Sequence, residues 1–598
     1  MTKIADLPFE LLLDNLLPIL PLRDLLHLTS TNKLFASLCN DELLWKRKLQ
    51  EDFNFSDERT ARDHGWKFIY RGMSYPKTFV WGQSANGRLG QKIGDIARVG
   101  DAPMPCQLRM APGVSIVNLA AAGMSFFALD SRGSVHVWGT LDGTSSALQR
   151  DGFSEPRKTS PTPLKLDMPA PTRIISTGRL HATTLDGNGD VWAFLSWGRP
   201  FKLVASSLDH PFNLSTPLRV ESGWTFSSVL TASGDVFVWW PFSEEIEATV
   251  TQQELILAES DDKVHATADQ TIPCTTWTLQ KDPFQLPPLP SDLPRRETSP
   301  ISLIKIAALE QSLIGLTNHG HVLKFELTSE ENVQSETWKY LPFFCETERI
   351  KQKFGEQSLE HPQEVRITHI TAQFQTFVAY STGSSSVVLM GYSSTAPDEA
   401  PMILPALQNN NIISVVLGDY HYGALTSTGK LLTWGGFSRG ALGLGDPTKI
   451  EVGQPGGYRT ERDRLTAQTN GGPYPPAATE PTEVRFDHGY KRKRDMFCFA
   501  VTAAGWHMGA LVIDMEHRRE AEDDSDEGVS MPGGFPSDRG QSDIPTNYPA
   551  EPGTWGHGFN PVGGTPFRVG FAGRGLRGGH RGLTIRGMQS RGRGGPLP

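Results

Sequence analysis

The chain is poor in features that would assign it a chemistry at once. It has five cysteines in 598 residues, Cys39, Cys106, Cys274, Cys345 and Cys498, and no two form a CxxC pair. A scattered, odd set argues against a disulfide framework and a cysteine zinc site, and fits a reducing compartment. No P-loop, HExxH, GxSxG or metal-spaced cluster is read in the chain, so no catalytic residue, cofactor site or metal site is assigned. Long apolar runs are missing too. The opening LPFELLLDNLLPILPL is interrupted by Glu10, Asp14, Pro18 and Pro21 and lacks a basic start, so it reads as neither a membrane span nor a secretory leader. Nor is positive charge in excess. The formal net charge is -9, which argues against a chain that binds nucleic acid over its whole surface.

What the chain has in quantity is glycine (59) and proline (43), the residues of turns. One spacing recurs: a leucine, then a glycine, then a large aromatic. It gives Leu129, Gly133, Trp138; Leu185, Gly189, Phe194; Leu230, Gly234, Trp239; Leu316, Gly320, Phe325; and Leu425, Gly429, Trp434. A looser copy surrounds Tyr380 and Gly383. Each unit reads as a β-hairpin: a short apolar strand, a glycine turn, then an alternating strand such as SVHVW that ends on the aromatic. A further unit, CFAVTAAGWHMGALVID (498–514), reaches Leu511 and has no second half. An orphan second half stands near the other end, in KTFVWGQSANGRLG (77–90). Seven small β units suggest a propeller, and pairing the 77–82 strand with the 498–514 unit would close the ring and remove its free edges.

VWG and NGRLG (80–90), TWGGFSRGALGLGD (433–446), DYHYGAL and GWHMGAL resemble the regulator of chromosome condensation repeat. That resemblance implies a seven-bladed all-β propeller over residues 77–514. VWAF, LKFE and LMGY replace the tryptophan-glycine of the repeat in the middle units, and no unit carries the tryptophan-aspartate of the competing propeller type. His181, His421 and His507 recur at one position of the unit, which favours a structural role.

Residues 4–53 read as four short helices. Pro8 suits a first turn, Pro18 and Pro21 end the first helix, and Asp24 and Asp41 open later ones. Their leucines exceed what so small a unit can bury. Leu7, Pro8, Glu10, Leu11, Leu12, Leu16, Leu20, Asp24, Leu25, Leu26, Leu28, Lys33, Leu38, Asp41, Leu44, Trp45 and Lys46 resemble the F-box motif at its usual spacing. The resemblance implies docking on a Skp-family adaptor that binds a cullin-RING scaffold. Leu7, Pro8, Leu11, Leu12, Leu16, Leu20, Leu25 and Leu26 are then the adaptor-facing candidates. An F-box before this kind of propeller resembles the fungal SCF-associated factor family. That implies a non-catalytic receptor whose propeller binds protein substrates for ubiquitination, resident in cytoplasm or nucleus.

The expected organisation is an all-α F-box at 1–54, a helical linker at 55–76, the propeller at 77–514 and a disordered tail at 515–598. Long inserts occupy 241–303, 326–366 and 446–494, and either propeller face is open as the substrate face. KRKR at 491–494 suits a nuclear signal or a solvated basic loop. The tail is acidic at 518–528 and Arg/Gly-rich from Arg568, a composition that can bind RNA. The GxGxxG at Gly573, Gly575 and Gly578 follows no strand and is no dinucleotide site. Two other functions stay open beside the receptor: a nucleotide exchange factor for a small GTPase, and an RNA-associated scaffold.

Overall fold

The computed structural model describes the chain except residues 1–3, 5–6, 57, 92–100, 142–158, 209–214, 260–265, 361, 384–385, 471 and 517–598. The acidic run from 518, the Arg/Gly segment and the GxGxxG triplet lie outside the described residues.

The N-terminal module is helical. Helix α1 (Phe9–Leu11) is prolonged by a wider turn through Leu12–Leu16; α2 is Leu22–Thr29, α3 Lys33–Leu38 and α4 Glu42–Phe53. Local chemistry sets these starts. The Asn32 side chain accepts from the Phe35 N–H at 2.9 Å, and Asp41 accepts from the Leu43 N–H at 2.8 Å. Each satisfies a donor that the first helical turn leaves unpaired. Leu12, Leu17, Leu25, Phe35, Leu38, Cys39 and Leu44 form the core. Buried Lys48 donates to the carbonyls of Pro18 (3.0 Å) and Leu20 (3.2 Å), tying α4 to the loop before α2.

Seven sheets follow, antiparallel in their inner strands. We number them as blades in chain order, with strands A to D from the axis outward. Strands A to C are Ile116–Ala121, Ser125–Asp130 and Val135–Thr140 in blade 1, and Thr172–Thr177, Ala182–Asp186 and Val191–Phe194 in blade 2. They are Pro217–Ser222, Ser227–Thr231 and Val236–Trp239 in blade 3, and Leu303–Ala308, Ser312–Thr317 and Val322–Glu326 in blade 4. Blade 5 has His369–Gln373, Thr376–Tyr380 and Val388–Tyr392; blade 6 has Ile412–Leu417, His421–Thr426 and Leu431–Gly435. Blade 7 takes A and B from Met496–Ala504 and His507–Asp514, and C and D from Lys77–Gln83 and Asp101–Leu108. Lys77 faces Val512 and Gly82 faces His507, so the two ends of the described propeller meet inside one sheet. Its A strand packs on those of blades 1 and 6, and the ring is continuous.

The leucine–glycine–aromatic spacing is the B–C hairpin. In blade 1, Leu129 pairs with Val135 across a turn where Gly133 has φ +79° and Asp130 Oδ1 accepts from the N–H groups of Arg132 and Ser134, both at 2.9 Å. A side chain is strained at that φ, which is why glycine stands there. Trp81, Trp138, Phe194, Trp239 and Phe325 of the C strands are fully buried, whereas Tyr392, which ends that of blade 5, is exposed.

The inserts hold structure that composition alone did not reveal. The 241–303 insert contains a helix at Glu244–Glu259. It then supplies Thr271–Pro273 as a parallel outer strand to blade 1 and Trp277–Gln280 to blade 2, and returns to close blade 3 with Phe284–Gln285. The other two inserts carry helices at Thr347–Glu356 and Glu461–Asn470.

Candidate docking surfaces

The helical module shows an apolar exterior. Leu7, Phe9, Leu11, Ile19, Leu22, Leu26 and Leu43 are all exposed, Phe9 at 55% and Ile19 at 70%. Of the eight candidates, Leu7, Pro8, Leu11 and Leu26 lie on this exterior, and Leu16 and Leu20 are half-buried against the module's own core. Leu12 and Leu25 do not face outward. They are 0% and 1% exposed and form the centre of the module. The reason is steric: the bundle is so small that every helix must spend a leucine on the shared interior. Phe9, Ile19 and Leu22 belong to the exterior and were absent from the motif reading. The signal that marks them is position alone, beside prolines that turn the chain outward.

The segment that leaves α4 lies across one mouth of the propeller channel. Asn54, at φ +52°, ends α4, and its amide donates to the Thr172 carbonyl of blade 2 at 2.9 Å. The Arg59 guanidinium donates to the Ile175 carbonyl at 2.7 Å, and Glu58 lies 3.5 Å from Arg219 of blade 3. On the far side Ser414 donates to the Arg59 carbonyl at 2.9 Å, the Ala61 N–H donates to the Ile413 carbonyl at 2.6 Å, and Arg62 donates to the Ser427 carbonyl at 3.1 Å. Residues 54–62 therefore bridge blades 2, 3 and 6. Inside the channel Glu221 accepts from Ser176 at 3.1 Å. Burial holds its carboxyl above the usual range, against the pull of Arg59 and Arg219.

Helix α5 (Trp66–Gly72) completes the mount. The Trp66 N–H donates to Glu42 of α4 at 2.8 Å, Trp45 meets Tyr70 edge-on at 4.9 Å, and Phe68 meets Phe497 of blade 7 at 4.7 Å. Gly72 sits so close to Ile513 that a Cβ there would fall 2.2 Å from its side chain. Helical module and propeller thus share one apolar core through Trp45, Tyr70, Phe497 and Ile513. Arg59→Ala with Arg62→Ala is expected to loosen the mount. Limited proteolysis should cut residues 54–65 about tenfold faster, because cleavage tracks the open population. An unchanged rate would mean that α5 alone holds the module.

The recurring histidines are buried under the A–B turns. His181 bonds Ser227 at 2.8 Å and His507 lies 3.3 Å from the Ser125 carbonyl. A Cβ on Gly418 would come within 2.1 Å of the His421 ring. Burial pushes His181 and His421 down to about 4, and His507 well below its usual value. In the basic run, Lys491, Arg492 and Lys493 are exposed, whereas Arg494 is bound to Asp514 at 2.7 Å.

The motif reading also passed over Gly436–Gly440, GFSRG, which has the spacing of a serine nucleophile elbow. The turn recurs without the serine. Ser438–Gly440 and Ala85–Gly87 are matching single turns, with Arg439 at φ +58° and Asn86 at φ +62°. Ala85 occupies the place of Ser438, and the strain at Arg439 and Asn86 belongs to the repeat, whereas the positive φ of Ser438, +44°, is not shared by Ala85.

Residues 4–51 match the F-box-like family model. The chain is 37% identical over 111 residues to SCF-associated factor 1 of Saccharomyces cerevisiae, a match spanning 18% of this chain and 14% of that protein. It is 24% identical over 544 residues to F-box protein pof9 of Schizosaccharomyces pombe, covering 85% of this chain and 91% of the relative. Among solved structures, Prp20p of Saccharomyces cerevisiae aligns over 77% of this chain and 98% of its own, at 16% identity and a TM-score of 0.45. The chain is an F-box-like domain mounted on a seven-bladed propeller, homologous to SCF-associated factor 1 and F-box protein pof9.

Proposed function

We propose that the chain is a substrate receptor of a Skp–cullin–F-box ubiquitin ligase. The observation that carries this reading is the exposed apolar exterior formed by Leu7, Leu11 and Leu26 on the F-box-like domain. Burying such side chains is worth roughly 1.5–3 kcal/mol each, enough for a few of them to hold a Skp-type adaptor and, through it, a cullin. The receptor does no chemistry of its own. It raises the local concentration of a bound protein near the ubiquitin-charged enzyme, and a propeller fixed to its F-box by residues 54–62 and α5 presents that protein at one constant distance. Work in cytoplasm or nucleus is part of the same proposal.

The test is co-purification of adaptor and cullin with the full chain and with two variants. Leu7→Asp with Leu11→Asp is expected to lose both partners and keep the thermal transition, since both residues are exposed. Leu12→Ala is expected to lower stability by about 2–5 kcal/mol, because its side chain is wholly inside. Retention of the adaptor by the aspartate variant would refute the assignment of this surface.

A further inference from the structure

With one channel mouth crossed by residues 54–62, the other is bounded by the A–B turns. These turns pack head to tail. A Cβ on Gly505 would stand 2.3 Å from the Gly123 carbonyl, one on Gly123 2.7 Å from the Arg179 carbonyl, and one on Gly223 2.6 Å from that of Leu309. The side chains they carry meet over the axis. Trp224 of blade 3 stacks on Phe374 of blade 5, with centroids 4.4 Å apart and planes 13° from parallel. Arg179 of blade 2 places its guanidinium 4.0 Å from the centroid of the same indole. Trp224 thus carries both the Phe374 ring and the Arg179 guanidinium. Tyr420 of blade 6, 57% exposed, continues the row edge-on at 6.1 Å from Phe374.

Arg179 differs from the other arginines described above. Arg59, Arg62 and Arg494 donate to carbonyls or carboxylates. Arg179 has no hydrogen-bond or ion-pair partner among the described residues; its neighbour is the indole. Two carboxylates lie near. Asp419 feels the charge of Arg179 without bonding it, and Glu310 accepts from Gln375 at 3.3 Å. A guanidinium over an aromatic face keeps its N–H donors free, and its fork can meet a carboxylate with two parallel hydrogen bonds. The row beside it offers ring faces and edges to an apolar side chain.

We propose that this row is where the propeller takes its substrate: an extended protein segment that sets a carboxylate side chain on Arg179 and an aromatic or aliphatic one against Trp224, Phe374 and Tyr420. Only the word substrate rests on the receptor reading; the site itself does not.

The test is fluorescence anisotropy of the full chain with labelled peptides in one Gly/Ser frame, carrying Phe-Glu-Glu, Phe-Gln-Gln, Phe-Lys-Lys or Phe with two phosphoserines. The glutamate peptide is expected to bind about tenfold tighter than the glutamine peptide. Arg179→Gln and Tyr420→Ala, both at accessible positions, should each weaken it about tenfold, and Arg179→Lys should not restore it. Thermal transition and adaptor binding should stay as in the parent. Equal binding of the glutamine peptide, tighter binding of the lysine peptide, capture of the phosphoserine peptide alone, or no binding of the glutamate peptide at about 1 mM would each overturn the proposal. Loss of adaptor binding by the parent chain would sink the receptor reading and leave the peptide result standing.

Discussion

A chain that ends after Gly505 is expected to lose its cooperative thermal transition. Strand His507–Asp514 is buried along its whole length and lies between Met496–Ala504 and Lys77–Gln83. Without it Phe79, Val80 and Trp81 lose the sheet partner that covers them, and the N–H and C=O groups on that edge lose their bonds. The mount suffers too, since Ile513 packs on Gly72, and Asp514 holds Lys77 at 2.6 Å and Arg494 at 2.7 Å. Two point variants separate closure from mere truncation. Leu511→Ala should cost about 2–5 kcal/mol and Trp81→Ala about 3–5 kcal/mol, from opposite ends of the chain but in one sheet. Calorimetry of the full chain reads all three. A truncated chain that melts within a few degrees of the parent would show that the other blades stand without closure.

Acid should be the second large effect. His181 and His421 are neutral when folded, with values near 4, and burial holds His507 well below its usual value. In the unfolded chain each titrates near 6.5. The unfolded state therefore binds more protons below that pH. The stability these residues confer is whole above about 6.5 and is lost as pH falls toward about 4, by roughly 3 kcal/mol for each of the two with a stated value. Asp419 opposes them: burial pushes it up to about 6, so the folded state gains on acidification from there toward the usual carboxylate value. His321, also lowered to about 4, adds to the loss, while Glu221 and Asp101, both raised by burial, oppose it beside Asp419; the transition temperature should drop between pH 6.5 and 4.5. His421→Asn should flatten the slope. A flat profile in the parent would show that the rings are reached by water.

The propeller was legible because its repeat is a physical unit. The interval from Leu129 to Trp138 is fixed by a hairpin whose turn requires Gly133, so the pattern survives even where VWAF and LMGY change the last residues. The F-box-like domain was legible as a motif, but the side to which each leucine points was not. Leu11 and Leu12 are neighbours in the first helix, one outside and one inside. So short a helix gives no period from which to read a face. The outer strands from the 241–303 insert had no local signal: Thr271–Pro273 contains a proline and pairs with Lys165–Asp167 far along the chain. The Arg179 row was invisible for the same reason, since four turns from four blades supply it.

Closure by residues from both ends also imposes an order in time. The F-box-like domain leaves the ribosome before the propeller, and its exposed apolar exterior is complete once α4 and α5 have emerged. Strand Lys77–Gln83 must then wait for His507–Asp514, roughly 420 residues later. At about 5–20 residues per second that is about 20–85 seconds with an apolar strand unpaired. If the chain is the proposed receptor, an adaptor could bind it during that interval while its propeller is still unfinished, so co-translational chaperones and the adaptor would meet the same polypeptide.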